Sequence, residues 1–248
     1  MNFNTSLNMH QVGQVFKSSN GSIATIVEYL NNKNVTIEYP SGYRQVVQLA
    51  NLRRGAFKDT MTISVAEVGS LGTEPFHYKD QSYITWCNML RRVYKPKEGA
   101  EKEAYKDCSV TKDWLLLTNF RKWFNNQIYE KGYQLDKDLL FKNNKIYAPE
   151  TCIFLPQELN KFLLDRVRHR GSCPVGVSFK VRNDKWDAKI SIESRTQHLG
   201  LFNSPISAFY AYKEAKELEA KRLAHKWKEK VDSKVVKALL NFTVEITD

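Results

Sequence analysis

Two carboxylates that are separated by a single residue, Asp136 and Asp138, are the side chains best suited to metal chemistry. Closely spaced carboxylates suit Mg²⁺, and Glu150 is a third candidate ligand nearby. The alternative is structural, with the two aspartates forming ion pairs with Lys137 and Lys145 on a surface hairpin. The stretch contains none of the five histidines of the chain, which stand at positions 10, 77, 169, 198 and 225.

The elements that hold these carboxylates are predicted to be a strand, a loop, a second strand and a short helix between residues 134 and 160. The amino-acid sequence of this stretch resembles the ββα-metal core of HNH endonucleases. The matching pieces are Leu135-Asp136-Lys137, Tyr147-x-Pro149-Glu150-x-Cys152 and Asn160.

The HNH resemblance assigns a catalytic role to three residues. Asp136 takes the position of the first metal ligand, Asn160 that of the helix ligand and Lys137 that of the general base. Glu150 or Thr151 stands where the family has an asparagine that orients the base. A protonated lysine cannot accept a proton near neutral pH and repels a divalent cation. An inactive scaffold or a plain surface hairpin is therefore favoured over a divergent Mg²⁺-dependent nuclease.

Residues 175–230 predict three short strands followed by a long helix. Polar turns separate the strands, and in the second strand alternate residues fall on opposite faces. Trp186, Ala188, Ile190 and Ile192 form its apolar face, whereas Lys185, Asp187, Lys189 and Ser191 form its polar face. Ser204 followed by Pro205 is a helix N-cap signal, so the helix is expected over residues 206–230, covering the apolar face.

This unit resembles the APETALA-type (ethylene-response) DNA-binding domain. The resemblance rests on Gly-Val at 176–177, Lys-Trp-x-Ala-x-Ile at 185–190, Leu-Gly-x-Phe at 199–202 and Ala-x-x-Ala-Tyr at 208–212. It implies that the polar sheet face enters the DNA major groove. The implied DNA-contacting residues are Ser178, Lys180, Lys189, Ser191, Arg195 and His198. Several of these positions are arginine or tryptophan in the plant domains, so the plant base specificity is not expected.

The positive charge of the chain is concentrated in this region. The chain has a formal net charge of +11, and residues 161–230 contain sixteen basic and eight acidic side chains, a net +8. A polyanion such as nucleic acid is therefore the expected partner. Arg166, Arg168 and Arg170 form a basic linker that is suited to following phosphates or entering a minor groove. The alternative for this linker is a solvated helix end.

The first sixty residues predict several short strands separated by tight turns, which is typical of a small antiparallel barrel. Its near-neutral charge favours a docking or stabilising role over a second DNA site. Two helices, at 82–94 and 112–129, carry tryptophans at helical spacing, and core packing is favoured for these over base stacking.

The sequence as a whole predicts an α+β protein of several modules. They are a small β-barrel at 1–60, a helical part with an HNH-like core at 76–165, an APETALA-type domain at 174–230 and a helix and strand at 231–248. The layout resembles phage-encoded HNH/APETALA-type proteins, which implies the cytoplasm of an infected bacterium. Scattered cysteines, no signal peptide and no membrane-spanning run agree with that compartment.

The favoured function is binding of double-stranded DNA with an inactive HNH-like core and no cofactor. One alternative is a homing or nicking endonuclease with Mg²⁺ held by Asp136, Asp138 and Asn160. The other is capture of a host protein through the N-terminal barrel.

Overall fold

A computed structural model of the chain describes residues 12–164, 173–193 and 195–247. The chain divides into two compact units, Met1–Asn125 and Asn126–Asp248. Mixed helices and small sheets confirm the α+β class. The boundary between the units falls inside the segment predicted to form the helical and HNH-like part, and the finer division into modules stays a prediction.

The first unit begins with a four-stranded antiparallel sheet in the order β1-β2-β3-β4. Helix α1 follows it and packs Leu49 and Leu52 into the core of the sheet. The bounds are β1 Val15–Lys17, β2 Ile23–Asn31, β3 Asn34–Glu38, β4 Arg44–Val47 and α1 Leu49–Arg53. Across the described residues, β1 and β4 do not pair with each other, so the predicted closed barrel is wrong. Residues 52–55, which were expected to close the barrel, instead form the end of α1 and the turn after it, and α1 covers one face of an open sheet.

Two amphipathic helices complete the core of the first unit. Trp86 on α2 is fully buried, and its indole Nε1 donates a hydrogen bond of 2.6 Å to the carbonyl oxygen of Trp114. Trp114 packs edge-on against Phe120 of α4. Core packing of these two tryptophans is therefore confirmed. The remaining elements of the unit are β5 Ile63–Val65, β6 Gly69–Ser70, α2 Gln81–Tyr94, α3 Ala100–Ala104, β7 Ser109–Val110, a 3₁₀ turn Lys112–Leu115 and α4 Leu117–Asn125.

The second unit opens with a strand, a long loop that contains the two-residue strand β9, a further strand and a helix. Strand β8 pairs antiparallel with β10, with Asp136 opposite Ile153, and α5 follows directly. The two paired strands and the helix follow the order of strand, loop, strand and helix that the sequence predicts. The bounds are β8 Gln134–Asp136, β9 Ile146–Tyr147, β10 Ile153–Leu155 and α5 Gln157–Leu163.

A three-stranded antiparallel sheet and a long helix form the rest of this unit. The sheet has the order β11-β12-β13, and α6 covers its apolar face. Ser204 caps α6 by accepting the N–H of Ser207, with Pro205 at the first helical position, as predicted. The bounds are β11 Val177–Lys180, a 3₁₀ turn Val181–Asn183, β12 Lys185–Ile192, β13 Arg195–Phe202, α6 Pro205–Trp227 and α7 Ser233–Leu240.

Helix α6 serves two hydrophobic clusters. Its first half packs Phe209 and Tyr212 against the three-stranded sheet. Its second half packs Leu223 and neighbouring alanines against β10, α5 and α7. The ββα segment and the sheet are therefore joined by one helix, so a change in the packing of either cluster acts on the element that supports the other.

The close fit of sheet and helix requires glycine at position 176. Gly176 has a φ of 74°, and a Cβ atom there would lie 2.0 Å from the Tyr212 ring. Its carbonyl oxygen accepts the N–H of Lys189 at 2.9 Å. Gly176 thus fixes the start of β11 against both α6 and β12.

The strand predicted for the end of the segment 231–248, over residues 242–246, is wrong. The segment is irregular, and Val244 packs into the cluster beneath the sheet. The N–H of Val244 donates to Glu217 Oε1, and its carbonyl oxygen accepts from Lys213 Nζ. Side chains of α6 thus satisfy the main-chain groups that a neighbouring strand would otherwise bind.

All four cysteines are free thiols; Cys87 and Cys152 are buried, and Cys108 and Cys173 are partly buried. Among the described residues, no helix combines the length and the apolar character needed to cross a bilayer.

Candidate nucleic-acid interface

The uncovered face of the three-stranded sheet brings most of the predicted DNA-contacting residues together. Directly opposed residues of neighbouring strands share a face of the sheet. Ser178 is opposite Asp187, Lys180 is opposite Lys185, and Lys189 is opposite His198. We call this surface the polar face and define it by Ser178, Lys180, Lys185, Asp187, Lys189, Ser191, Thr196 and His198.

The apolar side of β12 is also as predicted. Ala188 and Ile190 are buried, and Trp186 and Ile192 pack at the edge of the same cluster. Alternation along β12 therefore directs its lysines and Asp187 away from α6.

Asp187 lies at the centre of the polar face and is only 2% exposed. Lys189 Nζ lies 3.0 Å and Lys180 Nζ 3.5 Å from the Oδ2 atom of Asp187. His198 Nε2 lies 3.0 Å from the Oδ1 atom, but no hydrogen bond with acceptable geometry reaches this oxygen from the described residues. Three of the predicted DNA-contacting side chains thus converge on one carboxylate.

The charges around Asp187 keep it ionised. Burial of the carboxylate acts to raise its pKa, but the hydrogen bond and charge of Lys189, the charge of His198 and the hydrogen bond of Lys180 outweigh burial, so the pKa is lowered. The side chains of Lys180 and Lys189 are 45% and 40% exposed. The carboxylate is therefore covered by partly exposed cations, which are the outermost groups of the cluster.

The prediction did not assign a role to Asp187, although the signal was present. Residues two apart in a strand share a face, so Asp187 had to lie between Lys185 and Lys189. The strand order also brings Lys180 and His198 from the two neighbouring strands to the same position.

Arg195 does not lie on the polar face. It pairs with Ile192, which packs towards α6, so Arg195 projects on the helix side of the sheet. Arg195 and His198 are three residues apart, and a regular strand directs residues at odd separations to opposite faces. Regular alternation from Arg195 therefore places His198 on the polar face, and the register shifts only beyond it, at a bulge at Leu199 between the pairs Ala188–Gly200 and Lys189–His198. DNA contact by Arg195 stays a prediction, now for a different side of the sheet.

The predicted linker arginines, Arg166, Arg168 and Arg170, lie outside the described residues. Ser178 and Ser191 are exposed on the polar face, where their hydroxyl groups are available as hydrogen-bond donors and acceptors.

The ββα segment uses its predicted catalytic side chains for internal contacts. Asp136 Oδ1 accepts the N–H groups of Asp138 at 3.0 Å and Leu139 at 2.8 Å, which shapes the turn after β8. Burial raises the pKa of Asp136, assisted by the Asp138 charge and opposed by the two N–H donors and the charge of Lys137. Asp136 therefore acts as a turn-forming carboxyl group.

Lys137 is a buried cation. Its side chain is 9% exposed, and Nζ donates hydrogen bonds of 2.8 Å to both carboxylate oxygens of Asp138 and to the carbonyl oxygen of Asn144. The ion pair between Lys137 and Asp138 agrees with the structural alternative, although Lys137 is buried instead of lying on the surface. An ammonium group that donates to two acceptor residues is arranged to close the loop, and no free lone pair is available to accept a proton.

The two remaining predicted ligands lie in different surroundings. Asn160 Nδ2 donates to Gln134 Oε1, and Glu150 is exposed. Within 12–164, 173–193 and 195–247, no group of three or more His, Cys, Asp or Glu side chains is placed to hold a metal ion. In the structure, Asp136, Asp138 and Asn160 are instead each engaged in internal hydrogen bonds.

No protein-family model matches the chain, and no significant match was found among curated proteins or solved structures. The two family resemblances therefore rest on the sequence motifs alone and stay predictions.

Proposed function

We propose that the chain binds double-stranded DNA through the polar face of its three-stranded sheet. The observation that carries this proposal is the convergence of Lys180, Lys185, Lys189 and His198 on a face that α6 leaves uncovered. A DNA major groove admits strands as well as helices, and lysine side chains reach both phosphates and guanine edges.

Three further features support the same proposal. Arg182 lies in the turn between β11 and β12 and is exposed, so it extends the basic surface beyond the sheet. Residues 161–230 carry a net +8, which supplies the long-range attraction expected of a DNA-binding region. Ser178 and Ser191 add neutral groups able to contact base edges.

In this proposal the ββα segment is a scaffold without catalytic activity. Its contribution is mechanical, because it packs against the second half of α6, whose first half supports the sheet.

Fluorescence anisotropy with a labelled random-sequence duplex tests the proposal. We expect binding that weakens about tenfold or more as salt rises from roughly 50 to 200 mM, because released counterions drive phosphate contacts. Lys185→Gln should weaken binding, whereas Lys33→Gln, which removes the same charge from an exposed turn of the first unit, should not. If the affinity does not depend on salt concentration, or if Lys185→Gln and Lys33→Gln lose the same affinity, the polar face is not the binding surface.

A further inference from the structure

A buried carboxylate at the centre of a proposed DNA-binding face needs an explanation. Asp187 adds negative charge where phosphates would approach, and an ionised carboxylate is costly to bury unless it is paired. In the described part of the chain, the basic side chains within ion-pair distance of Asp187 are Lys180, Lys189 and His198, and the histidine forms an ion pair only when it is protonated. The same side chains therefore stabilise Asp187 and are candidates to contact DNA.

We propose that Asp187 restrains non-specific DNA binding by holding Lys180 and Lys189 on the sheet, which makes it a specificity-determining residue of the interface. This inference rests on the proposed DNA-binding function. Asp187 acts through the two lysines, so it is a positioning residue and does not itself contact phosphate.

The restraint follows from the geometry of the cluster. Both ammonium groups lie within 3.5 Å of the same Oδ2 atom. When one lysine moves to a DNA phosphate, the buried Asp187 carboxylate loses one of its partners. When the second lysine also moves, His198 is the remaining partner of Asp187 among these three side chains. Removing partners from a buried charge is unfavourable, so each transfer to phosphate gains less than it would for an unpaired lysine.

The cost affects random and preferred sequences differently. A random duplex offers mainly phosphate contacts, which would have to offset the loss of the Asp187 pairs alone. A preferred duplex adds hydrogen bonds to base edges, which favour the same rearrangement. Asp187 therefore lowers affinity for random DNA more than affinity for a preferred site.

Lys185 provides an internal comparison. It is opposite Lys180 on the polar face, and no acidic side chain lies within ion-pair distance of it in the described part of the chain. Lys185 therefore contacts phosphate without this penalty. For random duplex DNA, Lys185→Gln should reduce affinity more than Lys180→Gln or Lys189→Gln does.

The direct test is Asp187→Asn, which keeps the size of the side chain and removes its charge. We expect its affinity for a random duplex to rise about three- to thirtyfold at low salt, with a steeper salt dependence by about one to two released counterions. Asp184→Asn is the matched control, since Asp184 is an exposed turn residue of the same sheet with the same charge. Asp187→Glu, which retains the charge, should stay closer to wild type than Asp187→Asn.

Selection from a random duplex pool supplies the specificity readout. Asp187→Asn should yield weaker sequence enrichment than wild type together with tighter binding. A simple loss of structure would weaken binding, so it would not produce this combination. Retention on heparin, a second polyanion, should increase in the same variant.

Each outcome decides a different point. If the wild-type protein binds neither duplex DNA nor heparin, the proposed function fails and the inference fails with it. If the wild type binds, but Asp187→Asn binds no better than wild type or only as well as Asp184→Asn, the restraint alone is wrong. Should Asp187→Asn fail to fold, the ranking of the three lysine variants decides, and equal losses at positions 180, 185 and 189 would overturn the restraint.

Discussion

Lys137 and Lys189 are both paired with an aspartate, but burial is distributed in opposite ways. In the ββα segment the cation is buried, with Lys137 9% exposed and Asp138 53% exposed. On the polar face the carboxylate is buried, with Asp187 2% exposed and Lys189 40% exposed. The charge presented to solvent is therefore negative beside Lys137 and positive around Asp187.

This difference explains why the lysines of the two regions differ in their ability to contact a ligand. A buried ammonium that donates to Asp138 and to the Asn144 carbonyl is committed to the fold. Half-exposed ammonium groups around a buried carboxylate can exchange partners with a ligand while their stems remain on the sheet. The comparison favours a structural role for the first pair and a binding role for the second.

The largest expected effect concerns the support of the polar face. Gly176→Ala should destabilise the protein by about 2–4 kcal/mol, because it adds backbone strain at positive φ to a clash with Tyr212. Gly132→Ala, at a φ of 99° with open space around the Cβ position, should cost about 1 kcal/mol. Urea unfolding of both variants measures the difference. Equal losses would show that strain alone, and not the fit of sheet to helix, makes position 176 sensitive.

The second prediction addresses the buried cation. Lys137→Gln should destabilise the protein by about 1–3 kcal/mol, because Asp138 and the Asn144 carbonyl lose a charged donor. Lys145→Gln, in the same loop but exposed, should change stability by less than about 0.5 kcal/mol. Thermal and urea unfolding provide the measurement. If Lys137→Gln is as mild as Lys145→Gln, the contrast between the two lysine–aspartate pairs disappears.

The sequence predicted the repeating parts of this fold better than its exceptions. Alternation along β12 and the cap at Ser204 follow from local patterns, and both are confirmed. The side of the sheet taken by Arg195 depends on register, and the conformation at Val244 depends on contacts with α6. Such features arise from pairings between distant residues, which a local pattern does not encode.

The candidate site shows the same limit. The residue types on the polar face were predicted, but not the contact of Lys180, Lys189 and His198 with one carboxylate. In the ββα segment, the order of the paired strands and the helix was predicted from the sequence. The internal partners of Asp136 and Asn160 could be identified only from side-chain geometry.

The third prediction compares the two aspartates by pH. Asp187 has a lowered pKa in the folded protein, so it contributes stability above its ordinary value of 3.8, and this contribution is lost as pH falls through the folded pKa. Asp187→Asn should therefore be less stable than wild type near neutral pH, with the difference shrinking in acid. Unfolding curves from neutral pH down to the acid range measure this trend.

Asp136 should show the opposite sign. Its raised pKa means that its contribution is complete below 3.8 and is lost as pH rises through the folded pKa. Asp136→Asn retains an oxygen for the N–H groups of Asp138 and Leu139, so near neutral pH it should equal or exceed wild type, by less than about 1 kcal/mol. A parallel pH dependence of the two variants would contradict the assigned environments.

The smallest expected effect is on chemistry. Supercoiled plasmid incubated with the protein and Mg²⁺ or Mn²⁺ should remain intact, because Asp136, Lys137 and Asn160 are each engaged by internal partners. The informative comparison is wild type against Asp136→Asn, which preserves the turn but weakens any metal coordination. Metal-dependent nicking by the wild type that disappears in Asp136→Asn would establish a nuclease and reverse the contrast between the two regions.

In that case the ββα segment would have to rearrange, freeing Asp136 from the turn and moving the Lys137 ammonium away from the metal, because a cation there opposes Mg²⁺ binding. Nicking that persists equally in Asp136→Asn would instead indicate an activity that does not depend on this carboxylate.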